Sequence, residues 1–385
     1  MTEPLDAVDI AIVGAGPVGM TLALALAGGP FRVLLIDSRQ RGAWASDPRA
    51  LALSYGTRQL LESLGAWNVN AGTAIETIHV SQRGGFGRTF IDAADYGIPA
   101  LGYVLRYRDL AASLDASIEA SQRLNDHEVI AIRLGSEAAE ITLKGGGGDT
   151  RRISARLVVH AEGIPANDAG IRVFDYCQHA VVAEVRPRAA HARQAWERFT
   201  PDGPLALLPL GQDYALVFCV PPAQASRLLQ LDEEHFLAAL RTSFGGRVDF
   251  VSSGPRASFP LALRVRQQLS TPRQVWIGNA AQSLHPVSGQ GFNLGLRDAW
   301  ELAEMLRTRA SRDAGQRAIL AAYARRRRID RSGSMAFTDG LVRVFSNDLA
   351  PLRAARGLSL LALDLLPPLR HFVARRMIWG ARAWP

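Results

Sequence analysis

Cysteine is nearly absent: Cys177 and Cys219 are the only two in 385 residues, and their spacing matches no known pairing. This excludes a disulfide framework or a thiolate metal site and leaves both thiols as core candidates. Long hydrophobic runs are also missing. The longest, such as 358–366, fall well short of the ~20 residues that span a bilayer, so no transmembrane helix is expected. The N-terminus carries Glu3 and Asp6 where a signal peptide carries base, which predicts a cytoplasmic protein. There is no internal repeat, no low-complexity segment and no His/Cys/carboxylate cluster at ligand spacing, so no metal is expected.

A hydrophobic content of 48% supports a substantial core, and the formal charge of +8 implies attraction to something anionic. The four consecutive arginines 325–328 spread around a helix and are read as a solvated, salt-bridged surface. No nucleic-acid recognition module accompanies them, so no nucleic acid is expected as a partner.

The most informative stretch runs from Trp276 to Asp298, which reads as strand, glycine-rich loop (Gly278, Asn279, Gly289, Gln290, Gly291), then a helix from Phe292. A second such loop lies far upstream, Gly14-Ala15-Gly16-Pro17-Val18-Gly19, between the strand 9–13 and a helix over 20–27. Its first glycine permits a tight turn, its second lets a pyrophosphate approach, and its third lets helix pack on strand. Asp37 ends the next strand, about twenty residues on, where an acid accepts ribose hydroxyls. Two distant segments are thus expected to close on one dinucleotide, FAD or NAD. A helix N-terminus at the second loop would stabilise the negative charge of a reduced flavin, which favours FAD.

Elsewhere the pattern predicts a helix over 58–64, a hairpin over 75–82 and 88–92, a helix over 107–117, and a strand pair over 129–133 and 140–144. Strand 157–160 returns to the parallel sheet. Alternating strands over 180–185, 205–210, 214–220 and 257–263 follow, then long helices over 292–306 and 318–345. The tail from Leu352 mixes leucines with Arg353, Arg356, Arg370, Arg375 and Arg376, the composition of an interfacial membrane segment and equally of core packing.

At its two loops the chain resembles the single-component FAD-dependent aromatic hydroxylases, and within them the ubiquinone-biosynthesis hydroxylases. The likeness extends to Asp47–Ser54, Leu101–Val104, Ala195–Thr200 with Gly203–Pro209, and Thr338–Val342 with Ala350–Leu352. The C-terminal portion is most similar to the 2-polyprenyl-6-methoxyphenol hydroxylase branch. The resemblance implies an α/β fold, in which a Rossmann-like FAD-binding domain (1–72, 101–172, 269–345) carries an inserted, mostly antiparallel substrate domain. That insert comprises a hairpin, 73–100, and a sheet, 173–268. A C-terminal helical tail, 346–385, is placed against the inner face of the cytoplasmic membrane.

The implied chemistry is that NAD(P)H reduces bound FAD, O2 adds to give a flavin C4a-hydroperoxide, and its distal oxygen passes to a polyprenylated phenol. Flavin contacts are then expected from Gly14, Gly16, Pro17, Val18, Gly19, Asp37, Arg106, Tyr107, Gly278, Asn279, Gly289, Gln290, Gly291, Phe292 and Asn293. His285 and Pro286 would form the flavin-facing substrate wall, His285 being either a proton-transfer group or a satisfied structural histidine. Arg49 would line the isoalloxazine, against a surface ion pair with Asp47. The family's Asp-Gly at a strand end is Glu162-Gly163 here, and 164–168 lacks the usual Ser and Arg. That departure raises the alternative of a non-catalytic member of a quinone-biosynthesis complex, and the same fold also admits a flavin oxidoreductase that does not hydroxylate.

Overall fold

The computed structural model describes residues 6–68, 70–164, 170–308, 313–345 and 350–380. Pro165, Ala166, Asn167 and Asp168, where the sequence departs from the family, lie outside these, as do 346–349 and 381–385 of the tail.

The strand Asp6–Val13 is the axis of the first sheet. It pairs in parallel with Thr150–His160 on one side and Val33–Ile36 on the other, and Gln274–Trp276 adds in parallel beyond Thr150–His160. Their apolar runs are buried on both faces, as a helix-covered parallel sheet requires. The helices Pro17–Leu26, Tyr107–Ala116 and Gln290–Thr308 bury Leu22, Leu114 and Leu302 against it. The strands His127–Leu134 and Ala139–Gly145 form an antiparallel branch on Thr150–His160.

Eight strands of a nine-stranded sheet run in the order Gln282–Ser283, Ala257–Arg266, Ile171–Pro187, Asp213–Val220, Pro204–Leu210, Gln194–Phe199, Thr77–Gln82, Arg88–Asp92, and the ninth, Phe250–Ser253, branches off Ile171–Pro187. Strand Gln194–Phe199, which the sequence reading did not pick out, is the link: it pairs in parallel with Thr77–Gln82 and so brings the early hairpin into the sheet. The helices Pro222–Gln230 and Glu233–Phe244 were likewise not anticipated. They cover one face of this sheet with Leu228, Phe236, Leu240 and Phe244, and the other face is left for the site. The segment 269–345 does not stay with the parallel sheet, since Gln282 and Ser283 pair with Val265 and Arg264 of the nine-stranded one. The second glycine loop therefore sits where the two sheets meet.

The arginine run is not the solvated surface that its composition suggested. Successive helical residues turn by about 100°, so Arg325 and Arg328 point to solvent while Arg327 points inward and is fully buried. Its guanidinium donates from Nε to Asp298 (2.7 Å) and from Nη1 to Glu301 (2.7 Å), and Nη2 lies 2.9 Å from Asp330. Asp330 also pairs with Arg297 at 2.9 Å, and Glu301 with Arg326 at 3.0 Å. This cluster locks Gln290–Thr308 to the following helix, Arg317–Phe345.

Truncation of Arg327 would leave three carboxylates facing one another away from water. Arg327→Ala is expected to lower the unfolding free energy by about 3–5 kcal/mol in urea titration, and Arg326→Ala, at the half-exposed edge, by less than about 1 kcal/mol. Equal losses would contradict the assignment of the buried partner.

Candidate flavin and substrate site

The first loop is shaped by its glycines. Gly14 has φ +104°, and a Cβ there would lie 2.5 Å from the backbone of Ala161 and Glu162. A Cβ on Gly19 would collide with the Gly14 carbonyl, so helix and strand could not close. Gly16 caps the helix Pro17–Leu26 without any side-chain hydrogen bond. Its first N–H groups, with the positive dipole end, are therefore directed at the loop, where a pyrophosphate fits. Asp37 stands beside them, its Oδ2 accepting from the Ala15 N–H at 2.7 Å and its Oδ1 from Arg39 Nε at 3.0 Å. Burial alone would push the Asp37 carboxyl up, but hydrogen bonds and charge from Arg39, aided by the Ala15 amide, hold it below the ordinary carboxylate range.

Tyr107 is buried behind this loop, its hydroxyl 3.6 Å from where a Gly16 Cβ would stand. Arg49 lies over its ring, 4.8 Å from the centroid, and pairs with Asp47 at 2.9 Å. Arg49 thus belongs to the first-loop end of the site, with the Asp47 ion pair as its resting contact. Arg106 is not brought there. Its guanidinium makes a two-pronged pair with Glu184 of the nine-stranded sheet, at 2.7 and 2.6 Å. Neighbouring positions at a strand end point to opposite faces, which separates Arg106 from Tyr107. Glu162 uses its extra methylene to turn back, its Oε1 lying 3.1 Å from His160 Nδ1, and Gly163 follows with φ +93°.

The second loop meets the first. Gly278 has φ +60°, and a Cβ there would stand 3.1 Å from Val18 Cγ1; Gly289 has φ +62° and abuts Ala52. Asn279 is exposed at the loop, while Phe292 packs against the parallel-sheet core and Gly291 is in ordinary contact with Leu284. Asn293 is a clamp, accepting from the Ser54 N–H at 2.8 Å and donating to the carbonyls of Ala52 (2.9 Å) and Gly289 (2.8 Å). The acidic end of the loop was not anticipated as part of the site. Asp298 Oδ2 accepts from the Gly278 N–H at 3.1 Å and from Gln282 Nε2 at 2.7 Å, while its Oδ1 holds Arg327. The buried charge cluster thus reaches the loop backbone directly.

A cavity of about 310 Å³ opens beside the second loop. One wall is the loop itself, with Pro286, Val287, Gly289, Gln290 and Asn293; another is the free face of the nine-stranded sheet, with Ile78, Val80, Leu208 and Val217. The tail helices Ala350–Leu365 and Pro367–Trp379 supply Leu360, Leu363, Val373 and Ile378 as the cover. His285 and Pro286 part company here. Pro286 lines the cavity, whereas His285 lies behind it, 1% exposed and edge-on to Tyr176. Its Nδ1 accepts from the Val287 N–H at 3.2 Å, so Nε2 carries the proton and faces Gln178 Oε1, also at 3.2 Å. Both nitrogens are engaged, which favours the structural role over proton transfer.

The residues 7–335 match the family model for an FAD binding domain. The chain is 34% identical to ubiquinone hydroxylase UbiL of Rhodospirillum rubrum over 98% of its length and 91% of that protein's. The chain belongs to the FAD-dependent ubiquinone-hydroxylase family. A further relative is 3-demethoxyubiquinol 3-hydroxylase of Escherichia coli, 31% identical over 92% of this chain and 94% of that one. In fold it is similar to p-nitrophenol 4-monooxygenase PnpA of Pseudomonas putida, with a TM-score of 0.76 at 15% identity, covering 99% and 100% of the two chains. This family member is an FAD-dependent monooxygenase, and its own geometry suits the cofactor. The two glycine loops touch, a helix start with no side-chain cap faces their junction, and Asp37 is set as an acceptor beside it.

Burial pushes the His285 imidazole down to about 3, from an ordinary 6.5. Between these values the unfolded chain binds a proton that the folded chain refuses, so stability falls as pH falls. The unfolding free energy is expected to drop by about 1.4 kcal/mol per pH unit from this residue as pH goes from 6.5 towards 4. His285→Gln should remove that share of the slope and leave the share from His79, also held low at about 4 by burial and nearby arginines. An unchanged slope in the variant would contradict it.

Proposed function

We propose that the protein hydroxylates the ring of a polyprenylated methoxyphenol in ubiquinone biosynthesis, with NAD(P)H as electron source and O2 as oxygen donor. The observation that carries this reading is the apolar cavity joining the second glycine loop to the tail helices. A cavity of that size holds a substituted ring and the start of its chain, and the rest of the chain must leave on the tail side. When bound and reduced, flavin supplies the activated oxygen. The protein's contribution is to exclude water around the ring through the apolar faces of Val80, Leu208, Val287 and Leu360, and to hold the loop against Ala52 through Asn293.

The outer face of the tail supports contact with a bilayer. Leu358, Leu365, Leu366, Leu369 and Phe372 are exposed, as are Phe86 and Phe90 on the adjoining hairpin, whose Gly87 packs against Gly357. Arg375 and Arg376 are exposed beside them. Among the described residues no single helix is long and apolar enough to cross a membrane, and the tail helices meet at 94°. Such a bent, basic, apolar-faced pair suits lying in the interface of an anionic leaflet, from which the prenyl chain would enter. Because the same helices cover the cavity, deleting them would open the site as well as the surface, so membrane contact is better tested by outward-facing substitutions.

The hydroxylase reading is tested with flavin-loaded protein, NAD(P)H, isotopically heavy O2 and a short-prenyl methoxyphenol. One heavy oxygen in the product is expected. Flavin bleaching by NAD(P)H with no oxygenated product would instead indicate a non-hydroxylating oxidoreductase. Leu365→Glu combined with Leu369→Glu is expected to reduce pelleting with anionic vesicles at least about tenfold without changing the melting temperature. Unchanged pelleting would contradict the membrane assignment.

A further inference from the structure

The face of the nine-stranded sheet turned away from the cavity carries a buried cation. Arg198 points to the side that the helix Glu233–Phe244 covers, its guanidinium carbon 6.0 Å from the centre of the Phe244 ring. It is 7% exposed, its Nη1 donates to Ser81 Oγ at 3.1 Å, and its Nε is buried with no hydrogen-bond partner. Cross-strand register sets Arg88, Ser81 and Arg198 side by side in one row. Arg83 lies just past Ser81, its backbone N–H donating to the Phe199 carbonyl at 2.8 Å. Arg247 follows the left-handed turn at Gly245 and Gly246, where a Cβ on Gly245 would stand 2.8 Å from Arg198 Nη2. Arg83, Arg88 and Arg247 are exposed, and among the described residues no carboxylate pairs with any of the four. Burial first, then the charges of Arg247 and Arg83, push the Arg198 guanidinium down from its ordinary value.

A cation taken out of water is costly unless an opposite charge meets it. The end of the helix Glu233–Phe244 brings only a fraction of a negative charge, and Ser81 is neutral. Three more arginines gathered around the buried one raise that cost, and an oxyanion seated among them reverses it. We infer that Arg198, Arg247, Arg88 and Arg83 form a binding site for a phosphate-type oxyanion on the outer face of the substrate sheet. A phosphate presents its oxygens tetrahedrally, so it takes charge-assisted hydrogen bonds from guanidiniums on different sides, where a planar carboxylate meets one fork. Two sources supply that chemistry: a free phosphate and the headgroup of an anionic phospholipid. The headgroup is within reach because Phe86 and Phe90 are exposed on either side of Arg88, on the hairpin that packs against the tail at Gly357. The site lies across the sheet from the cavity and does not depend on the hydroxylase reading.

The experiment is calorimetric titration of the flavin-loaded protein, whose glycine loops are then filled, with inorganic phosphate in chloride buffer at constant ionic strength. Pelleting with phosphatidylglycerol vesicles, against phosphatidylcholine vesicles as blank, runs beside it. Arg198→Met keeps the length of the side chain without its charge and is expected to weaken binding at least about tenfold. Arg247→Gln, at the exposed rim, should weaken it at least about threefold, and it decides the matter if the methionine variant does not fold. Arg325→Gln removes the same charge from a distant exposed helix face and should bind as the native protein does. Loss of phosphate binding with pelleting unchanged assigns the site to soluble phosphate. Loss of phosphatidylglycerol pelleting assigns it to a lipid headgroup, whether or not free phosphate also binds. Phosphate binding and pelleting both undiminished in Arg198→Met and Arg247→Gln, or lowered equally in Arg325→Gln, would overturn the inference. So would native protein that binds neither phosphate nor phosphatidylglycerol.

Discussion

The carboxylate of Asp298 is the constraint on which the site depends. One oxygen holds the buried Arg327 and the other holds the Gly278 amide and the Gln282 side chain, so a single group couples helix packing to the shape of the second glycine loop. Gln282 is held in turn by Arg331 at 2.8 Å, and the same arginine donates to the carbonyls of Arg266 and Ala281. The loop is thereby fastened to the nine-stranded sheet as well as to the helices. A buried ion cluster is a poor source of net stability, because desolvation offsets most of its attraction. Its value here is geometric: the Gly278 amide and the Gln282 side chain share one carboxylate that Arg327 fixes in turn, so the shape of the loop is tied to the packing of the helices.

From that fixed loop the rest of the site follows. Gly278 can sit against Val18 because neither residue there needs more room, and the first loop is in turn pinned by the close approach of Gly14 to Ala161 and Glu162. The cavity is built outward from this junction. Its loop wall is held by the polar clamp of Asn293, its sheet wall by strand register, and its cover by apolar packing of two tail helices. Polar fixation near the cofactor and apolar closure near the substrate match the two demands of oxygen transfer, rigid placement and exclusion of water.

Much of this was legible in the sequence. The glycine spacing, the acid at Asp37 and the apolar strands between them carry a local geometry that only one arrangement of strand, turn and helix satisfies, and the parallel sheet follows that reading. Pairings between distant segments were not legible. Strand 194–199 gave no sign that its partner would be 77–82, and helices 222–230 and 233–244 were lost among the strands they cover. Composition misread the arginine run because a helix presents consecutive residues to different faces, and Arg327 met three carboxylates brought from 298, 301 and 330. His285 sits one residue from a cavity-lining proline, but a turn of the backbone sends its ring to Gln178. Arg106 found Glu184 for the same reason, since the partner lies on another sheet.

The central claim is that Asp298, through Gly278, holds the loop in its cofactor-accepting form. The direct measurement is the dissociation constant for FAD of Asp298→Ala, compared with the native protein at a temperature where both give the same far-ultraviolet circular dichroism. An affinity weakened at least about tenfold is expected, since the amide and the Gln282 side chain lose their common acceptor. A folded Asp298→Ala protein that binds FAD as tightly as the native one would contradict it.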